Sequence, residues 1–140
     1  MFNNQYAKNN LGILYKNGDG VTKNIYNAIL YFEEGIKQKN NSFCRYNLAR
    51  IYYFGIDIDP NIPKSIELLE NASQNNFYPA KNILYFIYSY GDKTIKNKEK
   101  ASYYLKIIDP NNHILNDLKR LLLLMSKKTH HSTQGSSKYD

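Results

Sequence analysis

The stretch LGILYKNGDGV, residues 11–21, joins an apolar helical pattern to a glycine-rich turn. With Ala7, the residues Leu11 and Tyr15 recur every four positions, which places their side chains on one stripe of a helix. Gly18 follows, and glycine there ends a helix because it adopts the left-handed conformation without a steric penalty. A phosphate-binding loop is the alternative interpretation of Gly18 and Gly20, but such a loop would follow a strand.

The same pattern occurs three times along the chain. Offsets of 37 and then 36 residues align it with a second and a third copy. Periods of this length are typical of solenoids built from stacked helical hairpins. Gly18 has a counterpart in each copy and Gly20 has none, which favours a helix corner over a phosphate site. The aligned columns are Ala7, Cys44 and Ala80; Leu11, Leu48 and Leu84; Tyr15, Tyr52 and Tyr88; Gly18, Gly55 and Gly91; and Ala28, Ser65 and Ala101.

Each copy predicts two antiparallel helices, so the fold class is an all-α solenoid. Asn24 is expected to cap the second helix of the first copy, and Ser42 the first helix of the second copy. Asp59, Pro60 and Pro63 stand where the next helix should begin. Small residues in the alanine columns are expected where helices approach closely, and the tyrosines should fill the wider gaps.

The chain therefore divides into repeats at about residues 3–40, 41–76 and 77–109, a capping helix at 110–126 and a disordered polar tail at 127–140. The capping helix should cover the end of the array with one apolar stripe, and weak self-association through this helix is the alternative. The stripe consists of Ile114, Leu115, Leu118, Leu121, Leu122 and Met125.

The pattern A-x-x-x-L-G-x-x-Y-x-x-G-x-G-V, followed by A-x-x-Y-F, resembles the Sel1-like repeat, a relative of the tetratricopeptide repeat. The resemblance covers about residues 3–108, and the second and third copies match more loosely than the first. It implies a right-handed superhelix of antiparallel helix pairs that serves as an adaptor for other proteins. The first copy matches through Ala7, Leu11, Gly12, Tyr15, Gly18, Gly20, Val21, Ala28 and Tyr31.

A second face of the first helices points away from the Ala–Leu–Tyr stripe. In tetratricopeptide-like arrays this face lines the concave groove. Aromatic and arginine side chains occur there, and these types are enriched at binding hot spots. Phe54 and Tyr90 lie at the edge of the face and are the members most expected to be buried. The predicted partner-binding residues are Asn9, Ile13, Lys16, Tyr46, Arg50, Tyr53, Phe54, Asn82, Phe86 and Tyr90.

These residues predict a non-enzymatic adaptor that binds a peptide or protein with apolar anchors and some acidic character. The net charge of +7 and the 14 tyrosines leave a nucleic-acid-binding repeat protein as the alternative. A remote alternative is a hydrolase, because disulfide-rich relatives of this repeat family have been linked to β-lactam hydrolysis. Their paired cysteines are missing here, since Cys44 is the single cysteine and occupies an alanine column. We expect no cofactor and no metal ion.

The sequence also bears on the compartment. No secretory signal and no membrane-spanning run is seen, because a bilayer span needs about 20 apolar residues. One cysteine offers no internal disulfide framework. The expected location is the cytoplasm.

Overall fold

The computed structural model describes residues 6–111 and 113–136, and over these residues it contains seven α-helices and no strand. The predicted all-α fold is therefore confirmed. The chain divides into two compact units, one ending at Tyr104 and one beginning at Leu105. The helices are α1 (Ala7–Asn17), α2 (Ile25–Lys39), α3 (Ser42–Phe54), α4 (Ile62–Gln74), α5 (Tyr78–Tyr90), α6 (Lys98–Ile108) and α7 (His113–Ser136).

One backbone hydrogen bond closes each of the three hairpins. The N–H that precedes the second helix donates to the carbonyl of the tyrosine in the last turn of the first helix. The three donor–acceptor pairs are Asn24 to Tyr15 at 2.9 Å, Asn61 to Tyr52 at 2.8 Å and Asn97 to Tyr88 at 3.0 Å. The backbone carbonyl of each tyrosine in the column therefore helps to fix its hairpin.

The same asparagines cap the second helices with their side chains. Their Oδ1 atoms accept the N–H of the third following residue, at 3.1 Å in α2, 3.2 Å in α4 and 3.0 Å in α6. This confirms the predicted cap Asn24. α4 begins later than the predicted Asp59 and Pro60, and Asn61 is its cap. Pro63 lies in the first turn, where a proline gives up no helical hydrogen bond.

The first helix of the second hairpin also begins differently from the prediction. Asn41, and not Ser42, caps α3, because its side chain accepts the N–H groups of Phe43 at 2.9 Å and of Cys44 at 3.3 Å. Ser42 is the first residue inside the helix. Asparagine and serine both favour the N-cap position, so the sequence pattern does not distinguish Asn41 from Ser42.

The glycines that end the first helices do not share one conformation. Gly18 (φ 74°) and Gly55 (φ 63°) are left-handed, as the pattern predicts. Gly91 has φ −60° and ψ 174°, so the left-handed prediction is wrong at this position. Glycine is needed there for space, because a Cβ atom would lie 2.4 Å from the carbonyl oxygen of Ile87.

The core of the first unit forms where the first two hairpins stack. Its buried members come from both hairpins and include three residues of the predicted columns, Ala28, Cys44 and Leu48. Ala80 and Leu84 are fully buried in the third hairpin, and Tyr88 nearly so. Leu11, Tyr15 and Tyr52 are half-buried, and Ala7 is exposed, with no described helix before α1. The remaining buried residues of the cluster are Ile25, Phe32 and Ile51.

Size complementarity between the helices explains the glycine at position 12. A Cβ atom on Gly12 would lie 2.4 Å from the ring of Phe32, so glycine lets the two helices of the first hairpin approach. Ala49 and Leu69 hold these two columns in the second hairpin, and both are buried. A small residue therefore faces a large one in each of these hairpins.

The last helix differs from the prediction in length and in burial. α7 continues to Ser136, through much of the segment predicted to be a disordered tail; residues 137–140 lie outside the described part of the chain. Residues 127–136 contain no proline, the residue least compatible with a helix interior. The stripe residues Leu118, Leu121, Leu122 and Met125 are exposed, and the side chains of residues 114 and 115 lie outside the description. The capping role stays a prediction.

Replacing Asn61 by alanine should destabilise the second hairpin. The substitution removes the side-chain cap of α4, which is worth about 1 kcal/mol in other helices, and leaves the backbone bond to Tyr52. We expect thermal denaturation to show a melting temperature about 5 °C lower. Asn61→Ser retains an acceptor oxygen and should recover most of the loss. Asn10→Ala, on the exposed side of α1, is the control; equal effects at positions 10 and 61 would contradict the capping role.

Cys44 should resist alkylation in the folded protein. The thiol is buried, and burial raises its pKa to about 11 from an ordinary value of 9.0. At pH 8 the thiolate fraction is then roughly a hundredfold lower than in the unfolded chain, and only the thiolate reacts. Mass spectrometry of the Lys37→Cys variant treated with iodoacetamide tests this, because Lys37 is exposed. Modification of Cys44 as fast as the thiol introduced at position 37 would contradict it.

Candidate functional site

The ten predicted partner-binding residues lie on the first helices of the three hairpins, and we call this set the groove face. Because α1, α3 and α5 occupy equivalent places in the repeat, residues at equivalent positions fall on corresponding sides of neighbouring hairpins. Asn9, Ile13 and Lys16 lie on α1; Tyr46, Arg50, Tyr53 and Phe54 on α3; and Asn82, Phe86 and Tyr90 on α5.

A cavity of about 310 Å³ lies between α3 and α5. The groove face contributes five of its lining residues, Arg50, Tyr53, Phe54, Phe86 and Tyr90. The structure therefore brings half of the predicted set together at one place. The volume of the cavity is at the small end of the range for ligand pockets, about 300–1,000 Å³.

Three aromatic side chains of the cavity remain exposed. Phe54 is 65 % exposed, Phe86 59 % and Tyr90 66 %. The expectation that Phe54 and Tyr90 are buried is wrong, because each is the last residue of its helix and the chain turns away at Gly55 and Gly91. Exposed aromatic rings that cluster around a cavity are a common mark of an interaction site.

The exposed rings are held by other rings. Phe86 lies 5.9 Å from Tyr90 and 5.6 Å from Tyr85, measured between ring centroids. Tyr53 and Phe54 meet edge to face at 5.1 Å. Aromatic pairs in such geometries attract one another, which limits the movement of each ring. The rings at the edge of the cavity therefore contact one another.

Two cations belong to the groove face, Lys16 on α1 and Arg50 on α3. The pKa of Lys16 is lowered, mainly because partial burial removes water from the ammonium group and further because the Arg50 charge repels it. The Arg50 guanidinium lies 5.8 Å from the ring centroid of Tyr46. A positive charge therefore lies at the edge of an apolar cavity.

The remaining groove-face residues have mixed surroundings. Asn9 is buried and accepts a hydrogen bond from the side chain of Asn47 at 2.8 Å, so it joins α1 to α3. Ile13 packs against the core cluster. Tyr46 contacts the ring of Phe77 at 5.8 Å, and Asn82 is exposed. Asn9 and Ile13 thus help to hold the hairpins together.

Sequence reasoning missed the residues that form the deep part of the cavity. Ala49, Ser65 and Leu69 line it and are fully buried. Ser65 donates a hydrogen bond from its hydroxyl to the carbonyl of Ala49 at 2.7 Å. Ser65 and Leu69 lie on α4, a second helix, whereas the predicted set contains residues of first helices only. The other lining residues missed are Ile83, Ile87 and Gly91.

A second cavity, of about 570 Å³, lies beside α4 and the loop that precedes α6. Two of its lining side chains, Tyr88 and Lys100, both bond to Glu70 of α4, which is not itself part of the lining. The hydroxyl of Tyr88 donates to Glu70, and Lys100 pairs with the same carboxylate at 3.3 Å. Burial, followed by contact with Glu70, raises the pKa of Tyr88. These contacts join the second and third hairpins, which is a structural role.

Other kinds of site find little support among the described residues. Residues 6–111 and 113–136 contain no group of three or more His, Cys, Asp or Glu side chains placed to hold a metal ion. Cys44 is buried, and its raised pKa keeps it protonated at neutral pH. Within the same residues no helix combines the length and the apolar character that a bilayer crossing requires.

Phe86 should contribute little to the stability of the fold because it is exposed. We expect Phe86→Ser to change the free energy of unfolding by no more than about 0.5 kcal/mol. Leu84→Ala, two residues earlier on α5, is the matched control: Leu84 is fully buried, and its truncation should cost about 2–5 kcal/mol. Denaturant unfolding measures both. A loss at Phe86 as large as at Leu84 would show that the ring belongs to the core.

Solved structures of two other proteins are similar to the chain. A Sel1 repeat protein from Oxalobacter formigenes superposes with a TM-score of 0.65 and 24 % identity, over 76 % of this chain and 44 % of that one. The c5321 protective antigen of uropathogenic Escherichia coli, which has an SLR fold, gives a TM-score of 0.65 and 20 % identity, over 73 % of this chain and 22 % of that one. The chain thus spans less than half the length of either. At these identities the likeness shows a shared fold.

Sequence comparisons point to the same fold. The family model described as Sel1 repeat matches residues 5–40, 42–77 and 86–107, which is more than half of the chain. The third match begins at residue 86, inside α5. A comparison with curated proteins gave no match. The resemblance seen in the sequence is confirmed, and the chain belongs to the Sel1 repeat family.

Proposed function

We propose that this protein is a non-enzymatic adaptor that binds a segment of another protein along the groove face. The observation that carries the proposal is the cavity between α3 and α5 with Phe54, Phe86 and Tyr90 exposed around it. A partner that covers these rings removes their apolar surface from water. This stabilises the complex by about 25 cal/mol per Å² of apolar surface buried.

The chemistry of the groove face supports protein binding. Aromatic and arginine side chains dominate binding hot spots, and Tyr53 and Arg50 lie together at the cavity. Sel1 repeats commonly mediate interactions between proteins. The groove face offers apolar area and positive charge, which suit recognition of a peptide. A nucleophile paired with a base, which covalent hydrolysis would need, is not among its ten residues.

We place the proposed interaction in the cytoplasm. Cys44 is free and buried. A chain without a disulfide suits a reducing compartment.

The Arg50→Ala/Tyr53→Ala double variant tests the proposal. Truncation of two hot-spot residues should lower the amount of specifically captured partner at least tenfold, because such residues are worth about 2 kcal/mol or more each. The readout is quantitative mass spectrometry of proteins captured from host extract. Melting temperatures of variant and wild type check that the fold is retained.

A matched control distinguishes the loss of groove-face residues from the loss of any exposed tyrosine and cation. Tyr26→Ala/Lys37→Ala removes one tyrosine and one cation from α2, where both side chains are exposed. It should leave capture unchanged. Equal capture by the wild type and the Arg50/Tyr53 variant, with both folded, would rule out the groove face as the binding surface.

A further inference from the structure

Charge is segregated between the two kinds of helix in the first unit. The first helices, α1, α3 and α5, contain five cations and no aspartate or glutamate. Over residues 6–104 every carboxylate side chain lies on α2, α4 or α6 or in a loop. The groove face is therefore built on the layer without acidic side chains, and an acidic partner meets no like charge on these helices.

Three of the five cations already have polar partners. Lys8 pairs with Glu34 at 2.7 Å. Arg45 donates to Asn40, and the ammonium group of Lys81 donates to the Asn76 side chain at 3.4 Å. The five cations are Lys8, Lys16, Arg45, Arg50 and Lys81.

Lys16 and Arg50 are the two that remain. Within the part of the chain that the structure describes, neither makes a hydrogen bond or an ion pair from its side chain. Partial burial lowers the pKa of Lys16, and the Arg50 charge is close enough to lower it further. Two neighbouring like charges repel each other, and a carboxylate placed between them would relieve the repulsion.

The apolar cavity adjoins this cation pair. Arg50 itself lines the cavity, with Phe54, Phe86 and Leu69. A volume of about 310 Å³ accepts one large side chain more readily than a cofactor. The site thus offers one apolar cavity with Arg50 in its lining and Lys16 within electrostatic reach of Arg50.

We infer that the partner is an acidic peptide segment that inserts one large apolar side chain between α3 and α5 and places carboxylates against Lys16 and Arg50. The inference rests on the proposed function and adds the chemistry of the partner. Affinity comes from the buried anchor, and the charges supply specificity and a faster association.

An acidic peptide fits this surface better than a nucleic acid does. Proteins that bind single strands without sequence preference follow several phosphates along a basic groove. The groove face offers only Lys16 and Arg50 as cations. The buried part of the cavity, at Ala49 and Leu69, is apolar.

Selection of random twelve-residue peptides displayed on phage, with the immobilised full chain as target, tests the inference. The wild type should enrich peptides in which a large apolar residue is flanked by aspartate or glutamate. The Lys16→Glu/Arg50→Glu variant should enrich the same apolar residue flanked by lysine or arginine. Phe86→Ser should weaken the apolar preference and keep the acidic one. Lys37→Glu and Leu30→Ser make matched changes at exposed positions of α2 and should enrich the wild-type peptides.

Fluorescence anisotropy with one synthetic acidic peptide from the wild-type selection gives the magnitude. We expect the double charge reversal to weaken binding at least about tenfold, and 500 mM salt to weaken the wild type but not the variant. Lys37→Glu should bind as the wild type does. Circular dichroism of each variant verifies that the helices are intact.

Three results would overturn the inference. Enriched peptides without acidic residues, whose binding is still lost in Phe86→Ser, would refute the acidic partner and leave the adaptor function standing. Absence of enriched peptides, or binding that neither Phe86→Ser nor the charge reversal affects, would refute the adaptor function as well. A fifteen-nucleotide oligo(U) that binds more tightly than the peptide and is lost on charge reversal would favour nucleic acid.

Discussion

The hydrogen bond between a tyrosine carbonyl and the N–H of the asparagine before the next helix is the constraint on which the hairpins depend. It spans nine residues at each turn and brings the end of the first helix against the start of the second. The same asparagine caps the second helix with its side chain, so one residue fixes both the loop and the helix start. Because the bond uses backbone atoms, it persists in the third copy, where other positions of the repeat change.

Once the hairpins are fixed, side-chain size decides how tightly their helices pack. Gly12 makes room for the ring of Phe32 in the first hairpin, and no space is left there for a Cβ atom on residue 12. In the second hairpin the shorter Leu69 replaces the phenylalanine and faces Ala49, and the cavity lies at this point. Ser65 satisfies its hydroxyl on the Ala49 carbonyl, so the deep part of the cavity carries no unpaired serine hydroxyl. The candidate site therefore arises from variation within the repeat columns.

Charge follows the same division between first and second helices. On the second helices, Glu70 pairs with Lys100 of the next hairpin, and Glu34 pairs with Lys8 of its own hairpin. The charged residues of the first helices are all cations, and one of them, Arg50, lies beside the exposed rings of the cavity. Asn9 and Ile13 of the groove face help to hold the hairpins together, whereas Phe86 and Arg50 are exposed. Substitutions at Phe86 or Arg50 can therefore probe the proposed recognition apart from stability.

The sequence by itself determined the helical hairpins, their register and the family, because the four-residue stripe and the 36–37-residue period are local patterns that repeat. It also identified the helix face on which five cavity residues lie. The tertiary structure alone decided that Asn9 is buried and that Phe54 and Tyr90 are exposed. It also brought Ser65 and Leu69 of α4 to the cavity. Whether a residue at the edge of a helix face is buried depends on which neighbouring helix reaches it. The repeat period along the chain does not give the distances between helices.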